Sequence, residues 1–192
     1  SRVSCGHRAR SPTFRRRLLQ ALLPAMTSWS YVLFSIGVLS IAWGSIAALV
    51  QTEFKRLLAY SGISHMGFIL LGLAAGAYHV ALFYVIIYAI TSLAIFGFIL
   101  FFGNSKFELV NLQDYRGLYY KQPWLALMLM MVLFSMAGVP PFVGFFAKMA
   151  IIQAIIKAGY FSTAVGVVLF SVVGAFYYLK IIWLMLDRKS TR

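Results

Sequence analysis

Residues 124–157 read WLALMLMMVLFSMAGVPPFVGFFAKMAIIQAIIK. As one unbroken helix this stretch would extend about 50 Å, against a bilayer core of about 30 Å. Gly138, Pro140 and Pro141 lie near its middle. Proline lacks the backbone donor and disfavours helical geometry in the residue before it. The stretch therefore reads as a discontinuous membrane helix, its first half over about 124–138 and its second over about 142–157. Such a break frees backbone carbonyls and leaves a half-helix N-terminus, groups tolerated at membrane depth only beside protein or water. A plain proline kink is the alternative reading of the proline pair.

Beside the break stands one charge. Lys148 is seven residues past Pro141, about 10 Å along a helix. A charged lysine at the centre of a span costs at least about 2.5 to 3.5 kcal/mol, so it should face a cavity or a partner. Snorkelling to an interface is the plainer alternative, and the depth of Lys148 in its segment argues against it. Its chemistry would be reversible protonation, because burial favours the neutral amine and a nearby carboxylate favours the ammonium. Break and lysine together predict a hydrated polar pocket.

Working outward, the whole chain has membrane composition. Of its 192 residues 62% are hydrophobic and 11% charged, far from a soluble domain. Apolar segments at 31–50, 57–75, 79–102, 124–157 and 160–186 predict an all-α polytopic bundle of about five spans, one of them discontinuous. If the broken segment crosses once, Lys55, Arg56, Lys106, Arg116, Lys121, Arg188 and Lys189 share one side, opposite Lys157 and the N-terminal arginines. A hairpin there would weaken that bias, so one broken crossing is preferred, with the shared side cytoplasmic or equivalent. The stretch 103–122 is the only long polar connection. Residues 1–17 read as a basic segment, native or foreign to the protein, and 187–192 as a truncated tail, so the chain reads as a fragment whose membrane domain is 18–186.

The net charge of +13 does not indicate nucleic acid, since six of the seventeen basic residues precede Leu18 and most others flank apolar runs. Cys5 is the single cysteine, which excludes an internal disulfide and a thiolate cluster. Nucleotide, hydrolase and metalloprotease motifs are absent, so no catalytic, cofactor-binding or metal-ligating residue is assigned. Among the remaining polar residues, His65 suits a proton relay or a hydrogen-bonded packing role. Lys55 and Arg56 suit an interfacial anchor, with a part in proton movement as the alternative for Lys55. Tyr88, Thr91 and Ser92 can extend a hydroxyl chain or join helices, and joining is favoured. Lys157 and Lys180 suit snorkelling, and GLAAG at 72–76 suits a helix contact. Residue chemistry alone thus leads to an ion or proton pathway, or to a scaffold in a larger membrane machine.

QTEFKRLLAYSGISHMGFILLGL at 51–73 and FSMAGVPPFVGFFAKMAIIQAII at 134–156 resemble the antiporter-like, proton-translocating subunits of respiratory complex I, NADH-quinone oxidoreductase. LLQALLPAM at 18–26, LQDYRGL at 112–118 and GAFYYLKIIWLM at 174–185 support the resemblance, which runs from about Leu18 to Leu186. Within that family the similarity is nearest to the branch of chain N. Tyr88 stands where the chain M branch has a histidine, which also argues against chain-L-like and chain-M-like antiporter subunits.

The resemblance implies a fold of two inverted five-helix repeats, of which this chain would supply the C-terminal one, helices 9 to 13, without the upstream glutamate and lysines. It implies that Lys148 is the helix-12 lysine linked to proton exit. It further implies a subunit of a proton-translocating oxidoreductase whose redox chemistry lies on other subunits, with NAD, FMN, iron-sulfur clusters and quinone belonging to the whole complex. Expected partners are the other membrane subunits, lipid, protons and, at the level of the complex, quinone. The expected location is the bacterial plasma (inner) membrane, or else the mitochondrial inner membrane. A cation/proton antiporter subunit of the same fold and a membrane assembly scaffold are the alternatives.

Overall fold

The computed structural model describes the backbone of residues 12–103 and 111–187 and the side chains of residues 29–101 and 111–187. Among the described residues seven helices follow one another: α1 (Pro12–Val50), α2 (Phe54–Ala74), α3 (Tyr78–Gly103), the single-turn α4 (Leu118–Lys121), α5 (Pro123–Ala137), α6 (Val143–Lys157) and α7 (Phe161–Leu186). A 3-10 turn, Leu112–Tyr115, precedes α4. Among the described residues no strand forms, only an isolated antiparallel bridge between Glu53 and Asn111. Four helical segments are long and apolar enough to cross a membrane: Trp29–Val50, Phe54–Ala74, Tyr78–Phe101 and Phe161–Leu186. The fifth crossing is shared by α5 and α6, each of 15 residues, about 22 Å apiece and too short to span alone.

The first helix is longer than the apolar segment expected at 31–50. Helix α1 opens at Pro12, so 12–17 of the basic segment is helical; residues 1–11, with Cys5, lie outside the described residues. Lys106, Glu108, Arg188 and Lys189 lie outside them as well.

Helices α5 and α6 make one broken crossing and not a hairpin. At one end of the bundle, Arg116 pairs with Asp187 beyond α7, Gly117 N–H donates to Leu184, and Leu112 N–H donates to Thr52 just before α2. Lys55, Arg56 and Lys121 belong to this end by their places on α2 and α4. Farther along α6, Ile151 packs on Gly72 near the end of α2 and beside Ala81 at the start of α3, and just beyond α6 the Tyr160 ring lies tilted against Phe34 at 4.2 Å. Thus α6 continues away from the end where α5 began, and Lys157 belongs to the opposite end.

Two apolar clusters fill the interior. One gathers Phe54, Leu57, Tyr115, Leu133 and Ile181 toward the first end, and the other gathers Ile41, Phe68, Leu71, Ile151 and Val167 toward the second. Along α2, Ser61, Ser64 and His65 fall between them, all buried, and the α5–α6 break with Lys148 falls at the same height. A polar layer thus lies at mid-bundle, sealed by apolar packing above and below. Helix α1 closes on α2 through Gly44, where a Cβ would come within 2.6 Å of Ser64 N, and this approach allows the buried Ser45–Ser64 hydroxyl bond of 3.1 Å. GLAAG does not act as one contact motif. Gly72 packs against Ile151, whereas Gly76 lies past the end of α2 at φ 72° and makes the turn.

The outer faces remain apolar. Leu93 and Leu100 on α3 are 74% and 75% exposed, and Trp43, Trp124 and Trp183 are also outward. Apolar exposure on this scale belongs to a surface covered by lipid or by other membrane helices.

Candidate functional site

Helix α5 stops because Gly138 adopts φ 80°, a left-handed conformation that glycine takes without a Cβ penalty. Its N–H donates to the carbonyls of Phe134 and Ser135, and Val139 N–H also donates to Phe134. The Pro140–Pro141 bond that follows is cis, and α6 begins at Val143 with no side-chain cap.

Any helix ends with four carbonyls that lack partners within it. In α5 two of these, Phe134 and Ser135, are taken by the turn, and the other two, Met136 and Ala137, accept from a single group. Lys148 Nζ donates to both at 2.9 Å. The ammonium therefore caps the negative end of the half-helix dipole, a favourable place for a cation. Its side chain is 7% exposed, packs its Cδ against Gly138, and carries Nζ 5.8 Å from the centre of the Phe68 ring, close enough for a cation–π attraction. The sequence predicted a break and a lysine that share a hydrated pocket; in the structure they are in direct contact, and the freed carbonyls face the lysine.

The approach of the two half-helices depends on Gly144, whose missing Cβ would collide with the Ser135 carbonyl oxygen. Beyond them, a cavity of about 20 Å³ is lined by Lys148, His65, Tyr84, Tyr88, Thr91 and Ser135 among others. His65, 6% exposed, meets the Tyr84 hydroxyl through Nδ1 at 2.8 Å and stacks on the Tyr88 ring at 4.9 Å. On its other side Lys148 borders a larger cavity of about 260 Å³ between the break and α7, lined by Gly138, Phe145, Val168 and Ser171 among others.

Lys148 and His65 are thus brought to one cavity, whereas Gly138 of the break borders the larger cavity on the other side of Lys148. Pro140 and Pro141 sit on the exposed side of it. Lys55 is not brought there: it is exposed at the start of α2, ten residues and about 15 Å of helix before His65. Arg56 beside it pairs with Glu53 at 2.9 Å. Tyr88 and Thr91 line the cavity, so their hydroxyl groups are at the polar layer and not only between helices; Thr91 donates to the carbonyls of Ile87 and Tyr88. Lys157 and Lys180 are exposed near their helix ends.

No described acid reaches Lys148. Glu53 pairs with Arg56, Asp187 with Arg116, and Asp114 accepts from Asn111 N–H, all at the first end. Nor do the described residues gather three or more histidine, cysteine or acidic groups as a metal site would need. The arrangement is chemically simple: a buried amine with carbonyl acceptors, a buried imidazole, and phenols between helices. It can hold and pass a proton.

Tyr84 is the residue that sequence reasoning missed. A signal existed, since Tyr84, Tyr88 and Thr91 recur at the spacing of one helix face. A tyrosine in so apolar a helix is ordinarily an interface or packing residue, and only its distance to His65 distinguishes it.

The chain is similar in sequence and fold to known proteins. The family described as NADH:quinone oxidoreductase/Mrp antiporter, TM, matches residues 13–175. The chain is 49% identical over 181 residues to NADH-quinone oxidoreductase subunit N of Azoarcus sp. (strain BH72), a match covering 88% of this chain. It spans only 37% of that relative's length. Among solved structures, a chain of respiratory complex I from Thermus thermophilus superposes with TM-score 0.73 at 34% identity, covering 82% of this chain and 36% of that one. A chain of the Mrp complex from Dietzia sp. DQ12-45-1b gives TM-score 0.77 at 26% identity, covering 84% of this chain and 30% of that one. With a family match over residues 13–175 and a shared fold, the chain belongs to the NADH:quinone oxidoreductase/Mrp antiporter transmembrane family.

Proposed function

We propose that this chain is part of a subunit-N-type membrane subunit of NADH-quinone oxidoreductase, and that the complete subunit takes part in proton translocation coupled to electron transfer from NADH to quinone. The observation that carries it is Lys148, a buried amine held at the break of a membrane helix, in a chain 49% identical to a subunit N. Lys148 alternates between ammonium and amine, and His65 across the small cavity is its relay partner. Gly138, Pro140 and Pro141 form the break that presents the two carbonyls, and Lys55 serves as an interfacial anchor.

Redox chemistry, with NAD, FMN, iron-sulfur clusters and quinone, belongs to other subunits. The partners are those subunits and the bilayer, and the location is a bacterial plasma membrane, as fits the bacterial source of the Azoarcus relative. A multisubunit antiporter is the rival reading: the fold does not separate the two, since TM-scores of 0.73 and 0.77 are alike. Sequence does, at 49% identity to a subunit N against 26% to the Mrp chain.

Replacing Lys148 by alanine or methionine in the full subunit, with redox-linked proton movement measured in membranes, tests the reading. Assembly at normal levels with fewer protons moved per electron supports it. An unchanged proton-to-electron ratio in an assembled complex removes it, and failure to assemble together with unaltered coupling in whatever complex forms points to a scaffold.

A further inference from the structure

Tyr84 is 3% exposed on α3, and its ring stacks on Phe68 at 5.7 Å and 10° while its hydroxyl meets His65 Nδ1. Phe68 is the ring that faces the Lys148 ammonium. The tyrosine is thus packed firmly into the wall that separates the two titratable groups, with its one polar atom committed to the imidazole. A phenol can donate or accept, and a neutral imidazole carries one donor and one acceptor. Tyr84 occupies Nδ1, which leaves Nε2 as the second nitrogen of a ring that lines the cavity.

Across that cavity the chemistry is one-sided. An ammonium offers three donors and no acceptor, and two of those donors go to Met136 and Ala137. The space of about 20 Å³ exceeds the roughly 10–15 Å³ that a single water needs, and the hydroxyl-bearing residues Tyr88, Thr91 and Ser135 are among its lining. A water there, accepting from Lys148, has a proton to give and needs an acceptor.

We propose that Tyr84 is a positioning residue: its oxygen accepts the Nδ1 proton of His65, which holds Nε2 bare toward the cavity, where one water joins it to Lys148. This rests on the reading of Lys148 as a proton carrier. In the transfer, Lys148 gives its third proton to the water oxygen as the water gives one of its own to Nε2. The lysine ends as a neutral amine, the water is regenerated, and His65 ends as an imidazolium whose Nδ1–H still donates to Tyr84. The opposite tautomer accepts from the Tyr84 hydroxyl at Nδ1 and sets an N–H donor against the water, from which it can accept no proton.

The test uses the complete subunit in its assembled complex. Tyr84→Phe keeps the ring and its Phe68 stack and removes the acceptor. Proton flux should fall about two- to ten-fold, the size of one lost hydrogen bond. In a His65→Gln background the same change should add nothing further.

The readout that a merely structural role would not move is the tautomer of His65. It is read from the imidazole ring bands in infrared spectra of histidine-labelled complex, assigned by their loss in His65→Gln. The wild type should show the Nδ1–H form, and Tyr84→Phe should shift it toward a mixture. A wild-type Nε2–H form, or a Tyr84→Phe variant with unchanged band and flux, overturns the proposal. Should Tyr84→Phe not assemble, the wild-type tautomer decides alone. Lys148→Met separates the two levels: unchanged pumping removes the parent reading, whereas lost pumping with an Nε2–H His65 removes only the role of Tyr84.

Discussion

Lys148 combines two functions that substitution can separate. It is a titratable amine, and it is the cap for two carbonyls of α5. Lys148→Arg keeps the positive charge and several donors but does not release a proton at accessible pH, and the cavity of about 260 Å³ beside the lysine gives the larger guanidinium room. Assembly near wild type with pumping lost is therefore expected for Lys148→Arg, measured as complex yield and as protons moved per electron. Pumping retained by the arginine variant would mean that fixed charge, and not proton exchange, is what the site needs.

Gly138 and Gly76 form a matched pair for the same question. Both have left-handed backbone, at φ 80° and 72°, so alanine at either costs about 1–2 kcal/mol in strain. At Gly76 a Cβ meets open space, whereas at Gly138 it would stand 2.9 Å from Lys148 Cδ and 3.2 Å from Nζ. Both variants should lower the thermal midpoint of the complex by similar amounts, and Gly138→Ala alone should reduce proton flux. Equal flux in the two would show that the Lys148–Gly138 contact has no functional weight. The lysine itself was legible in the sequence because a lone charge in apolar surroundings is costly. Its carbonyl partners were not, because a helix end shows which groups are orphaned but not which side chain folds back to them.

At the level of elements, α5 and α6 were legible for a physical reason: glycine and two prolines leave a helix no way through, and the half-helices end and restart at Ala137 and Val143, within a residue or so of the expected limits. The polar connection was less so. Its 3-10 turn and the four-residue α4 form through tertiary bonds to Thr52 and Leu184, which no local pattern announces. The angle between the half-helices also escaped the sequence, since it depends on Gly144 lying directly on the Ser135 carbonyl. Gly144→Val should force the pair apart and cost about 1–3 kcal/mol, as overpacking does. That cost should appear as lower complex yield and a lower thermal midpoint, with the Lys148 site misaligned. A Gly144→Val complex of normal stability would mean that α6 can shift without disturbing the break.

At the scale of the whole molecule, the two ends are held differently. The end bearing Lys55, Arg56, Arg116 and Lys121 is tied across distant parts of the chain, and its strongest tie is Arg116 to Asp187, at 3.0 Å from Nε and 2.6 Å from an amino nitrogen to the same oxygen. Nearby, Tyr115 is buried against Phe54, and burial followed by the Asp114 carboxylate pushes its phenol upward, so it stays neutral and apolar in character. The sequence placed Arg116 at this end as one of several orienting charges; that it anchors the end of α7 became visible only when residues 71 positions apart met.

The side chains of the pair are 34% and 13% exposed, which sets it between a surface pair and a buried one. Solvent screening discounts the charge, leaving a coupling of about 1 kcal/mol. In a double-mutant cycle, Arg116→Gln and Asp187→Asn should each lower the thermal midpoint of the complex, and the double variant should lose less than the sum. Protease sensitivity of the 111–122 connection should rise in parallel, while the protons moved per electron stay unchanged, because the pair lies at the bundle end and Lys148 at mid-depth. Strict additivity would mean that the two residues stabilise this end independently. A changed proton ratio would mean that the end and the mid-membrane layer move as one body.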